Sequence, residues 1–329
     1  MNFPTTRMRR LRYNKILRNM IEDTHIHSSD LIYPIFVTEG TNVKEPIESM
    51  PGQFRHSIDH TILLCEELLS NNIKSIILFG IVKEKDDTGK ISCSSKSIVP
   101  KTITSLKNKF KNELYIIADV CNCEYTKHGH CGTIIENDVD NDSTLLTLSE
   151  QSLILAKSGA DALAPSDMMD GRVGSIREIL DKNKFEKIPI FPYSVKYSSA
   201  FYGPFRDAAN SSPSFGNRKT YQMNFKNSDE AINEVRLDLN EGADIIIIKP
   251  AMAYLDIIYK IKERFNIPII AYNVSGEYSM VKSASENNFI NEMEIVLEIL
   301  HSIKRAGANA IISYHALEVA KFLKKNNVQ

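Results

Sequence analysis

The chain has 329 residues, 43% of them hydrophobic and 25% charged, with a formal net charge of -1. That length can bury one large core or two medium ones, and the near-zero charge argues against a polyanion-binding surface, so no nucleic-acid partner is expected. No apolar run approaches the roughly 18 residues that a membrane span needs, so no membrane partner is expected either.

Residues 1–30 open on MNFPTTRMRRLRYNK, which is basic but has no apolar h-region of the kind a secretory signal carries. Glu22 and Asp23 follow, and acidic residues are rare in organelle-targeting peptides. The stretch shows no strand pattern and reads as an arm that wraps a neighbour or its own domain. Five cysteines in so long a chain do not form a disulfide framework, which points to a reducing, cytoplasmic setting.

From residue 31 onward, β-rich runs alternate with amphipathic segments. The runs are LIYPIF (31–36), SIILFG (75–80), YIIAD (115–119), ALAP (162–165), PIFPY (189–193), IIIIK (245–249), PIIAY (268–272) and AIISY (310–314). They are continuous rather than alternating, as strands buried on both faces are. Segments 59–72, 229–242 and 291–307 have helical periodicity, and the last two close on Gly. Eight such units predict an α/β fold, a (β/α)₈ TIM barrel over residues 31–329. A doubly wound sheet is the alternative, but no G-x-G-x-x-G opens a helix. Residues 200–222, rich in Gly, Ser, Pro and Asn, interrupt the barrel as a long loop, and their arginines and aromatics favour a lid.

A barrel places its chemistry at the C-terminal ends of strands. Asp119, Ser166, Asp167, Lys249 and Tyr314 end runs, Lys196 comes three residues after the fifth, and Ser275 three after the seventh. Beyond the third strand lies DVCNCEYTKHGHCG (119–132), with Cys121, Cys123 and Cys131 inside eleven residues. Buried small thiols, a closed zinc site completed by His128 or His130, and a three-thiolate site with an open fourth position all fit. The open site is what catalytic zinc requires, and its place on the catalytic face favours it.

Lys249 follows four isoleucines, so it emerges from an apolar interior. A Schiff-base lysine must be neutral, yet at a pKa of about 10.4 only about 0.04% is neutral at pH 7. Burial lowers the pKa, and a second ammonium about 4 Å away repels by roughly 4 kcal/mol at an effective dielectric of 20. Lys196, beyond the adjacent fifth strand, is a candidate for that second cation. A snorkelling lysine at the barrel rim is the alternative. Arg206, Arg218, Lys219 and Gln222 in the lid could clamp a carboxylate, while Ser275 and Tyr314 offer neutral hydroxyl donors.

These residues together resemble the 5-aminolevulinate dehydratase family, along nearly the whole chain. The likeness runs through RMRRLR (7–12), LIYPIFVTEG (31–40), MPGQFRHSID (50–59), DVCNCEYTKHGHCG (119–132) and APSDMMDGRVGSIRE (164–178). It continues in YSVKYSSAFYGPFRDA (193–208), NRKTYQ (217–222), KPAMAYLDII (249–258), YNVSGEYSM (272–280) and SYHALE (313–318). The resemblance implies condensation of two 5-aminolevulinate molecules to porphobilinogen with loss of two waters, early in tetrapyrrole synthesis. It implies a Schiff base on Lys249, with Lys196 as second active-site lysine and Asp119 and Ser166 beside them. It assigns one substrate carboxylate to Ser275 and Tyr314, and the other to Arg206, Arg218 and Gln222. It also implies Zn2+ on Cys121, Cys123 and Cys131, an allosteric Mg2+ at Glu234, and a homo-octamer assembled through the arm. Glu124 and Lys127 stand where other members often carry Pro and Ser or Asp. Two other readings compete: a class I aldolase using Lys249, which leaves the thiols idle, and a zinc-organised binding module, which leaves both lysines idle.

Overall fold

The computed structural model describes residues 2–326. Its centre is a set of eight parallel strands, β1 (Leu31–Thr38), β2 (Ser75–Ile81), β3 (Tyr115–Val120) and β4 (Ala162–Pro165), then β5 (Val195–Lys196), β6 (Ile246–Lys249), β7 (Ile269–Asn273) and β8 (Ala310–Ser313). Seven joins are regular ladders, and β8 returns to β1 through Leu31↔Ile311 and Ile32↔Ile312. The eighth join is made by the chain ahead of β5. Phe191 N–H donates to the Leu163 carbonyl at 2.7 Å and Tyr193 N–H to that of Pro165 at 2.9 Å. On the opposite edge, Asp244 N–H donates to the Ile190 carbonyl and Ile247 N–H to that of Pro192. The ring closes, and the expected barrel is present.

One expected strand differs. PIFPY does not form a regular strand, because Pro189 and Pro192 have no N–H to give a ladder. The regular piece starts at Val195, so Lys196 lies on the strand and not three residues beyond it. There it is the register partner of Lys249.

Alternation explains how continuous apolar runs serve two cores. Ile77, Phe79, Ile117, Ile247, Ile270 and Ile312 fill the barrel, while Ile76, Leu78, Ile116, Ile246, Ile248 and Ile311 face the helices. Each such side chain contributes roughly 1.5–3 kcal/mol on burial. The outer layer includes helices Ile58–Ser70, Ile98–Phe110, Asn141–Lys157, Arg172–Lys182, Glu230–Asn240, Leu255–Arg264, Glu292–Arg305 and Ala316–Lys325. The three helical segments named from periodicity are among them.

Two excursions bear on the site. A hairpin, Lys44–Pro46 with Phe54–His56, sends Arg55 to the lid, donating to the carbonyls of Asp207 at 2.8 Å and Ala208 at 2.7 Å. In the lid the short helix Gly203–Ala208 drops Phe205 onto Phe36 and Phe79, with ring centroids 5.5 and 5.1 Å apart. Ahead of β1, a helical turn (Met8–Leu11) and a short helix (Lys15–Met20, capped by Asn14) bury none of their side chains. Among the described residues no helix is long and apolar enough to cross a membrane.

Candidate active site

Strands β5 and β6 set the two lysines side by side, both pointing into the barrel mouth and both buried. The ammonium of Lys249 sits among four aromatic faces, with centroids at 4.5 Å (Tyr272), 4.7 Å (Phe205), 5.0 Å (Tyr202) and 5.4 Å (Tyr193). Burial, and then the charge of Lys196, push its pKa down to about 7. About half of it is therefore neutral at pH 7, against a few parts in ten thousand for a free lysine. Lys196 goes the other way. Burial opposes its charge, but the thiols of Cys131, Cys121 and Cys123 outweigh that and raise its pKa. Its ammonium also donates to the Ser166 carbonyl. The pair is thus driven apart, one amine toward the neutral form and the other toward the charged form.

Asp119 and Ser166, at the ends of β3 and β4, meet beneath the lysines. The Ser166 hydroxyl donates to Asp119 Oδ2 at 3.1 Å, and Asp119 Oδ1 has no partner. Burial and then Glu124 push the Asp119 carboxyl well above the usual range. The Tyr193 hydroxyl, also buried, has no partner either.

The three thiols converge. All three sulfurs lie within 4.8 Å of one another, and Cys121 and Cys123 are 3.4 Å apart. Hydrogen bonds from Cys121 and Cys123 hold the Cys131 thiol well below its ordinary range, while burial raises that of Cys121. Three buried sulfur donors so close suit a soft, tetrahedral-seeking ion, and the donor set fits zinc. Neither histidine stands ready as a fourth ligand. His128 contacts the Asp87 carbonyl at 3.0 Å through Nε2 and accepts from His130 N–H through Nδ1. His130 is spent on the Tyr221 hydroxyl and the Phe215 carbonyl, both at 3.0 Å. In this arrangement the closed-site reading loses the two histidines it named as fourth donor.

The lid is tied to this loop. Arg218 donates to the carbonyls of Gly129 (2.8 Å) and Ser211 (2.6 Å), and Ser214 N–H donates to the His128 carbonyl. A side chain at Gly129 would strike the Ser212 carbonyl oxygen at 2.5 Å, so the two segments interlock. Arg218 and Arg206 are close enough for burial and then Arg218 to lower the Arg206 pKa, and the Nε–H of each is unspent. Both polar atoms of the buried Gln222 are unpartnered as well. The two arginines line the cavity beside the lysines, and unspent donors of this kind fit an arriving carboxylate.

On the far side, Tyr314 shares a 2.9 Å hydrogen bond with Tyr272. Ser275 accepts from Phe205 N–H at 2.9 Å, so in this conformation it holds the lid. The cavity between Phe79, Cys123, Ser166, Lys196, Lys249 and the lid arginines holds about 10 Å³, room for one water. Nothing larger fits there in this conformation.

Glu234 lies apart, on the Glu230–Asn240 helix, lining a polar cavity with Asp138, Asp170 and Glu230. Burial raises its pKa to about 7. Among the described residues it belongs to no cluster of three candidate ligands.

The sequence reading omitted Tyr272 and Tyr193. Both end a strand run, the same signal that singled out Asp119 and Tyr314.

Residues 5–322 match the family model described as delta-aminolevulinic acid dehydratase. The chain is 53% identical to the delta-aminolevulinic acid dehydratase of Bacillus subtilis (strain 168) over 317 residues, covering 96% of the chain and 98% of that protein. It is 50% identical to the enzyme of that name from Helicobacter pylori (strain J99 / ATCC 700824) over 321 residues, 97% of the chain and 99% of that protein. A crystal structure of delta-aminolevulinic acid dehydratase (porphobilinogen synthase) from Toxoplasma gondii ME49, in complex with the reaction product porphobilinogen, superposes with a TM-score of 0.96 at 42% identity. That match covers 98% of the chain and 92% of the other.

Proposed function

The chain belongs to the delta-aminolevulinic acid dehydratase family, and we propose that it condenses two molecules of 5-aminolevulinate into porphobilinogen through an imine on Lys249. The observation that carries this reading is the register pairing of Lys249 with Lys196, with the pKa of the first lowered and that of the second raised.

The neutral amine of Lys249 attacks the ketone carbon of the first substrate. Asp119, whose buried carboxyl holds a proton more tightly than an ordinary one, supplies a proton as the carbonyl oxygen departs as water. The protonated imine is a cation, and the four aromatic faces that surround the lysine favour it. Ser275, once freed from Phe205, and Tyr314 hold that molecule's carboxylate. Arg206, Arg218 and Gln222 take the carboxylate of the second. A zinc ion held by Cys121, Cys123 and Cys131 would act as a Lewis acid on the second substrate's carbonyl or amine. A carbon–carbon bond forms between the imine carbon and the second substrate. The first substrate's amine condenses with the second carbonyl, whose oxygen leaves as the second water. The Lys249 amine is expelled as the ring becomes aromatic, so two C5H9NO3 give C10H14N2O4 and two H2O.

The arm supports self-association, since Phe3, Tyr13, Ile16 and Met20 are exposed on it, and the octamer is the assembly the family resemblance implies. A cytoplasmic, reducing setting suits three thiols that must stay unoxidised. Magnesium at Glu234 is supported by the acidic cavity there, with water completing the shell. Loss of magnesium response in Glu234→Gln tests it.

The deciding experiment is borohydride trapping with 5-aminolevulinate on zinc-loaded protein, followed by peptide mapping. Label on Lys249 that vanishes in Lys249→Ala supports the reading, and folded protein without label overturns it.

A further inference from the structure

We infer that Glu277 is a positioning residue for the imine-forming seat, holding the ends of β6, β7 and β8 in one network so that Lys249, Ser275 and Tyr314 address a single molecule. The inference rests on the imine reading above.

Glu277 lies in the first turn of the Ser275–Glu286 helix and is fully buried. Its Oε2 accepts from Val274 N–H and from the Asn273 side-chain amide, both at 2.9 Å, and its Oε1 accepts from Met252 N–H at 2.8 Å. Capping its own helix would explain the Val274 contact alone. The Met252 bond reaches to the chain just after β6, three residues beyond Lys249. The Asn273 bond leads the other way. Asn273 Oδ1 accepts from the Ser313 hydroxyl at 2.9 Å, and Ser313 Oγ accepts from His315 N–H at 3.2 Å. Asn273 and Ser313 are register partners, and Ser313 and His315 flank Tyr314.

One connected set of hydrogen bonds therefore spans three strand ends. It touches the backbone three residues after Lys249, immediately before Ser275 and on both sides of Tyr314. There is little slack for an alternative arrangement. At Gly276 a Cβ would sit 2.5 Å from the Phe201 carbonyl oxygen, so the helix start is pressed against the lid.

The chemistry of the residue fits the role. Three N–H donors converge, and only a carboxylate offers acceptors alone; an amide would turn an NH2 against one of them. Burial costs this carboxylate enough to raise its pKa to about 7, and three N–H donors hold it there. A misplacement of about 1 Å at such a seat can cost 10²-fold.

The test uses full-length, zinc-loaded Glu277→Gln and 4-oxopentanoate, the substrate without its amino group, which can form the imine but cannot complete the ring. Borohydride labelling of Lys249 is measured against ligand concentration, beside the thermal midpoint. The expected result is a half-labelling concentration raised about tenfold in Glu277→Gln, at a temperature where the variant is fully folded. Ser313→Ala, which cuts only the far link, should raise it about threefold, and the exposed Glu286→Gln should leave it unchanged. If Glu277→Gln does not fold, Ser313→Ala decides. Labelling curves equal to wild type, even with a lowered thermal midpoint, would overturn the inference and leave Glu277 a structural residue. No label in wild type would instead overturn the imine reading on which it rests.

Discussion

Lys196 and Lys249 are register partners on adjacent parallel strands, yet they are driven in opposite directions: thiols hold the charge on one, while burial and its neighbour strip it from the other. Separating two identical side chains this way yields a nucleophile and a fixed cation from one residue type.

That separation costs stability. Folding must bury Lys249 with its pKa lowered from 10.5 to about 7. A lowered lysine pKa means the cost is absent above about pH 10.5, grows as pH falls, and is full below about 7. Lys249→Met should form no imine and be more stable by up to about 4 kcal/mol at pH 7, at about 1.4 kcal/mol per pKa unit. Denaturant melts of both proteins at pH 7 and 10 check it; a gain that does not shrink with rising pH contradicts it.

Removing the fixed cation should raise the Lys249 pKa. In Lys196→Met the acid limb of imine formation should move upward by about 1–2 pH units, because less amine is neutral at a given pH. The pH dependence of single-turnover labelling measures it, and an unmoved limb would show burial alone to be sufficient.

Mild chelation should lower turnover more than tenfold while circular dichroism and the thermal midpoint stay nearly constant, and added zinc should restore it. Three ligands at an open site support chemistry more than folding. Unfolding on chelation would return the thiols to a structural role.

Arg218 donates to two carbonyls while keeping its Nε–H unspent, which a lysine cannot imitate. Arg218→Lys should lose about 100-fold in turnover per KM, roughly 2.7 kcal/mol. Labelling of Lys249 by 4-oxopentanoate should change little, since that ligand occupies the other seat. Equal losses in both assays would mean that the arginine only supports the lid.

Much of the barrel was legible because strands buried on both faces must be apolar throughout, and seven runs coincide with observed strands to within a residue or two at most ends. The fifth was misjudged because Pro189 and Pro192 remove donors that the apolar pattern does not register. In the site, lysines and cysteines stood out as expensive residues in apolar or crowded settings. Tyr272, Tyr193 and Glu277 did not. A tyrosine closing an apolar run looks like core, and a glutamate in a helix's first turn looks like a cap. What distinguishes Tyr272 and Glu277 is a partner from another strand end, and Tyr193 its ring beside Lys249, which only the fold supplies. The histidine question was of the same kind, since His130 is taken up by Tyr221 and Phe215, far along the chain.

The space above Lys249 admits one water. An uncharged primary amine is reactive toward any small aldehyde or ketone that drifts by, and metabolism makes many of them. Ser275 and Arg218 tie residues 200–222 down and hide that amine in this conformation, and under the proposed mechanism a visitor must bring its own carboxylate to compete for those contacts. The closed mouth thus shields the chain against adventitious carbonyl damage, and it makes ligand recognition a condition of exposure.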